Sequence, residues 1–90
     1  MGLYLGKESG DHYFQGLAHR DLAYANFLAG DLYEAKDHAK QTLDLAERVS
    51  WRRRPSLEYT AHKILGDVAS QQGILKEALR EYGLAFPWHL

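Results

Sequence analysis

The chain has 90 residues, 46% hydrophobic and 26% charged, with eleven Lys and Arg against twelve Asp and Glu for a formal net charge of -1. That balance supplies no global field to gather nucleic acid or an anionic membrane, and the absence of cysteine excludes a disulfide framework, a thiolate metal site and a thiol nucleophile. The length fits one small domain, a size at which a lone core is only modestly stable and support from a neighbouring unit is expected.

The first apolar run, Leu3-Tyr4-Leu5, is too short for a signal-peptide core or a membrane span, and a cytoplasmic location is expected. Residues 1–10 precede the first periodic stripe and are expected to be a tail. Beyond it, Phe14, Leu17, Ala18, Leu22, Ala25, Leu28 and Ala29 recur at spacings of three and four and predict one apolar helix face. Gly30 then ends that helix, because glycine takes the left-handed conformation that closes a helix C-terminus. Asp31 is placed to cap the next helix, with Glu34 three residues on in a capping-box-like pair. That second helix keeps Leu32, Ala35, Ala39, Leu43, Ala46 and Val49 on its apolar face.

The connector Ser50-Trp51-Arg52-Arg53-Arg54-Pro55-Ser56 comes next. Pro55 disfavours helical geometry at Arg54, Ser56 is placed to cap the following helix, and Trp51 is expected to cover the open end of a helix pair. Arginines near a helix C-terminus are favourable in themselves. Their alternative use is contact with an acidic or phosphate group through Arg52, Arg53 and Arg54, since a guanidinium fork binds such groups bidentately. After the connector, Leu57, Ala61, Ile64, Leu65 and Val68 form a third stripe, Gly73 a second break, and Leu75, Ala78, Leu79, Tyr82, Ala85 and Phe86 a fourth. Almost no segment alternates with period two, so the fold class is all-α.

Sliding the chain by 43 residues aligns Ala18-His19 with Ala61-His62, Leu22 with Leu65, Gly30 with Gly73, Leu32 with Leu75, and Glu34-Ala35 with Glu77-Ala78. These are seven identities over the 26 positions from Ala18 to Leu43, where ordinary residue usage gives about one or two. The chain therefore divides into repeat 1 over residues 11–50, then a connector, repeat 2 and an apolar C-terminus over residues 51–90. Each copy is an antiparallel helical hairpin, with alanines at the facing positions to let the backbones approach.

Leu22-Ala23, Gly30-Asp31-Leu32-Tyr33-Glu34-Ala35, Leu65-Gly66 and Gly73-Ile74-Leu75-Lys76-Glu77-Ala78 together resemble the tetratricopeptide repeat (TPR) pattern over roughly residues 14 to 86. The match departs from that pattern in three ways. His19 and His62 stand where the family often has a large aromatic, the closing proline of each unit is missing, and the period of 43 exceeds the family's usual length of about 34. It is similar to the long-period variety of kinesin light chains, Pins-type scaffold proteins and bacterial regulators of the MalT kind, and that resemblance implies that Glu8-Ser9-Gly10-Asp11 is an inter-repeat connector and residues 1–10 the remnant of a preceding helix. The resemblance implies two hairpins stacked as a short α-solenoid of about four helices.

It also implies a concave groove lined by first helices. The positions off their stripes are Arg20, Tyr24 and Phe27 in copy one, with Lys63, Asp67 and Ser70 in copy two. The family's clamp for chaperone tails uses a lysine and asparagines, whereas Arg20, Tyr24 and Ile64 stand here, so that ligand is not expected. A Tyr/Phe/Arg surface suits a peptide or helix with apolar anchors. The histidines at 12, 19, 38, 62 and 89 include no pair at i, i+4 spacing and no His-Glu-x-x-His, and neither a nucleophile elbow nor a phosphate loop occurs. The expected function is protein–protein interaction or scaffolding, without catalysis, metal or cofactor. The alternative is an effector-sensing segment of a larger signalling or transcription regulator. Phe86-Pro87-Trp88-His89-Leu90, an apolar end on a short array, points to self-association.

Overall fold

A computed structural model describes residues 9–85. They form four helices: α1 (Ser9–Leu28), α2 (Leu32–Ala46), α3 (Arg54–Gln71) and α4 (Leu75–Ala85). No strand occurs among the described residues. α1 packs on α2 and α3 on α4, the two pairs meet chiefly through α2 and α3, and α1 also touches α3; no Cα of α4 comes within 8 Å of one in α1 or α2. Since α1 begins at Ser9, residues 9–11 are helical and not a connector. Phe86 and the rest of the C-terminal apolar cluster, like Met1 to Glu8, lie outside the described residues.

Both turns are built alike. Gly30 has φ 87° and Gly73 φ 79°, the left-handed region in which an L side chain is disfavoured. Around the first, the Asp31 N–H donates to Asn26 O and the Gly30 N–H to Phe27 O. Around the second, Ile74 donates to Ala69 O and Gly73 to Ser70 O, which is the same Schellman arrangement 43 residues later. The Asp31 carboxylate accepts from the Glu34 N–H at 3.1 Å, capping α2 as its sequence implies. Glu34 itself places its carboxylate 3.7 Å from His38 Nε2, one turn further along the helix.

Alanine dominates the interior. Ala23, Ala35, Ala39, Ala61, Ile64, Leu65 and Val68 form one buried cluster, flanked by Phe27, Leu32 and Leu43. A second, of Ala46, Val49 and Leu57, is flanked by Tyr13 and Leu17. The stripes expected for α2 and α3 are therefore the buried ones. The stripe expected for α1 is not: Phe14 is 65% and Leu28 66% exposed, Leu22, Ala18, Ala25 and Ala29 are exposed with them, and Leu17 alone is partly buried. The helix instead turns Gly16, Ala23 and Phe27 inward. Two apolar stripes run along α1, and periodicity cannot say which one a neighbour covers.

Glycine sets the closest approaches. A Cβ at Gly66 would stand 2.6 Å from Tyr82 Cε1, and one at Gly16 2.8 Å from a Leu57 methyl. The positions equivalent to Gly66 and Tyr82 in the first hairpin are Ala23 and Ala39, both fully buried. One hairpin thus fills its crossing with two methyls, the other with a ring over a bare backbone.

Gly66→Ala gains about 1 kcal/mol of helix propensity and loses about 1–3 kcal/mol to overpacking against the ring. A net destabilisation of about 1 kcal/mol is expected in urea unfolding. Combined with Tyr82→Ala, which recreates the alanine pair, the cost falls below the sum of the single substitutions; strict additivity contradicts the crossing described.

Candidate functional site

The first helices of the two hairpins present the candidate binding surface. Tyr24 is 55% exposed and lies one turn before Leu28, on the same side of α1. Leu28, Phe27, Gly30 and Leu32 line a hollow of about 340 Å³ with Gln71 of α3. Of the six groove positions read from sequence, only Phe27 lines this hollow, and it also packs, partly buried, against the larger core cluster. Arg20 is half-buried, its guanidinium 3.5 Å from Asp21. Ser70 is exposed. Lys63 donates to Asp67 at 3.1 Å, and Asp67 also accepts from the Tyr82 hydroxyl.

The hollow therefore has an apolar side on α1, from Leu28 with Tyr24 one turn away, and a polar side on α3 from Gln71; Lys63, Asp67 and Ser70 lie on α3 without lining it. Leu28 and Gln71 were missed by sequence reasoning. Leu28 was assigned to the packing stripe, although its i, i+4 relation to Tyr24 was the available signal.

The contact between Asp67 and Tyr82 ties this polar side to α4. Its hydrogen bond, followed by burial and the carboxylate's own charge, pushes the Tyr82 phenol up from 10.0 to about 12. A titration raised in the folded state contributes stability that is whole below pH 10.0 and is lost as pH rises through about 12.

A polar pair also crosses each hairpin at equivalent positions. His19 Nδ1 lies 2.9 Å from His38 Nδ1, with the rings stacked. Forty-three residues later, His62 Nδ1 lies 2.7 Å from a Glu81 carboxylate oxygen. The first contact requires one imidazole to donate and the other to accept, while the second pairs an imidazole with an anion. Glu81 is buried, and every buried side-chain polar atom among the described residues has a partner. The described residues hold no group of three or more His, Asp or Glu placed to bind a metal.

The arginine run divides its labour. Arg54 donates from Nε to Ala46 O at 3.1 Å and from a terminal nitrogen to Val49 O at 3.3 Å, closing the end of α2. Arg53 lies 4.9 Å from the Tyr13 ring centre and Arg52 5.4 Å from that of Trp51, so the three guanidinium groups form no common fork. Trp51 is 73% exposed and covers no helix end. α3 includes Arg54 at its start, with Pro55 in its first turn, where the missing N–H costs nothing. Ser56 does not cap it: the hydroxyl donates back to Arg53 O at 2.9 Å.

No protein-family model, curated protein or solved structure matches the chain. No helix among the described residues is long and apolar enough to cross a membrane.

Two predictions follow from these contacts. Arg54→Ala removes charge-assisted bonds to carbonyls at the end of α2 and lowers unfolding stability by about 1.5–3 kcal/mol, whereas Arg52→Ala stays within about 0.5 kcal/mol of wild type; equal effects contradict the division of roles. Between pH 10.0 and about 12 the wild-type melting temperature falls more steeply than that of Tyr82→Phe, which lacks the raised phenol; parallel curves contradict the Asp67–Tyr82 linkage.

Proposed function

We propose that this chain is a TPR-like helical-repeat module that binds a peptide or a helix of a partner protein along the surface presented by α1 and α3. The observation that carries this reading is the two-sided hollow: Leu28 and the flank of Phe27 on one side, Gln71 on the other, with Tyr24 exposed one turn away. An exposed tyrosine beside an aliphatic pocket is the kind of anchor point that dominates binding energy, and a polar opposite side fixes orientation. An amphipathic segment satisfies both sides at once. Lys63 and Asp67 neutralise each other, so the ligand expected here is held by apolar anchors and not by charge.

The open arrangement supports the repeat reading. In a closed four-helix bundle the last helix returns to the first; in this chain the α4 backbone approaches neither α1 nor α2. Contacts confined to successive helices and to the two first helices are those of hairpins stacked in a row. The module acts through binding. Arg52 and Arg53, each occupied with a ring, are secondary contacts for an acidic segment that extends past the hollow.

Selection from a random peptide library tests the proposal. Peptides enriched on the wild-type chain share an aromatic or aliphatic anchor and lose at least about tenfold in affinity against Tyr24→Ala/Leu28→Ala, the equivalent of about 1.4 kcal/mol. Both substituted side chains are exposed, so the variant keeps its fold. Enrichment that is absent, or indifferent to the two substitutions, overturns the assignment of this surface.

A further inference from the structure

The 43-residue repeat makes it possible to ask of each exposed apolar residue what its counterpart does. Phe14, Ala18, Leu22 and Ala25 of α1 correspond to Leu57, Ala61, Leu65 and Val68 of α3. The α3 set is buried, at 0%, 0%, 7% and 1% exposure. It packs in the two clusters with Ala35, Ala39 and Ala46 of α2. The α1 set is exposed throughout. The back of α1 therefore carries the residues of an interface whose other half, within this chain, is supplied by α2.

On α4 the counterparts of Ala35 and Ala39, namely Ala78 and Tyr82, are covered within their own hairpin, but the leucines beside them are not. Leu75 and Leu79 of α4 correspond to Leu32 and Lys36 of α2. Leu32 packs against the core cluster, and Lys36 lines the space between α2 and α3. Leu75 is 68% and Leu79 71% exposed, and at the second position the uncovered helix carries leucine where the covered one carries lysine. A solvated face would show the reverse substitution.

We propose that copies of this chain associate head to tail, the α1 face of one seated on the α4 face of the next, so that the α2–α3 junction is repeated between molecules. The inference rests on the repeat and does not require a ligand in the hollow. Charge favours this pairing over a two-fold one. Asp21 stands in the α1 face where the internal junction has the buried Ile64, and it pairs with Arg20 of the same helix at 3.5 Å. Two α1 faces meeting would bring these carboxylates together, whereas α4 carries Lys76 and Arg80 beside its leucines. A heterologous contact of this kind leaves a free face at each end and does not close at two copies unless the rotation happens to form a ring.

The test is sedimentation velocity across low to high micromolar concentration, using the wild-type chain and the variants Leu22→Glu and Leu79→Glu. Both positions are exposed, and circular dichroism verifies that each variant retains its helices. The wild type is expected to grow beyond a dimer without a plateau, or to a closed ring. Each variant alone stays monomeric, and an equimolar mixture forms a heterodimer that stops at two, because each copy supplies the face the other lacks. A wild type that stays monomeric throughout overturns the proposal. So does dimerisation of Leu79→Glu alone or of Leu22→Glu alone, since either means that like faces pair.

Discussion

The whole arrangement depends on how closely the helix backbones approach. Where α3 crosses α4, the ring of Tyr82 lies against the bare backbone of Gly66; where α1 crosses α2, Ala23 and Ala39 meet within the core; where α1 meets α3, Leu57 fills the space left by Gly16. Among the described residues the largest fully buried side chains are Leu57, Val68 and Thr42. A core of this composition gains little from any one residue and much from the number of close contacts, so added volume is as damaging as lost volume.

That constraint explains how the two hairpins can differ in sequence and still share the same turns and cross-hairpin pairs. The pair Ala23 and Ala39 and the pair Gly66 and Tyr82 divide the available space differently at one crossing. The polar pair one turn away varies in the same manner, His19 with His38 in one hairpin and His62 with Glu81 in the other. In both, a partly buried imidazole finds a partner across the hairpin, so neither leaves a donor or acceptor stranded. The second hairpin adds a tie from Asp67 to Tyr82, which fixes the ring that lies over Gly66.

Much of this was legible in the residues. The glycine turns, the Asp31 cap and the stripes of α2 and α3 follow from local chemistry and period, because each is decided within a few residues. The inward face of α1 was not legible, for a physical reason: Phe14, Leu22 and Leu28 outrank Gly16 and Ala23 on any hydrophobic scale, but the small residues admit a neighbouring backbone and the large ones do not. The same inversion turns Phe27 partly into the core and hid Leu28 from the candidate surface. In the connector, charge pattern alone could not reveal that Arg54 turns back to the carbonyls of α2 while Arg52 and Arg53 rest on aromatic rings. The Asp67–Tyr82 contact, which ties a candidate groove residue to α4, joins residues from two helices and has no signature in either.

The central claim is that two equivalent hairpins lie in an open row, held at glycine and alanine crossings. A nuclear Overhauser spectrum of the dilute chain tests it most directly. The account predicts cross-peaks from the Gly66 α-protons to the Tyr82 ring and from the Gly16 α-protons to the Leu57 methyls, with none joining α1 to α4. Cross-peaks between α1 and α4 that persist on dilution would mean a closed bundle, and would contradict it.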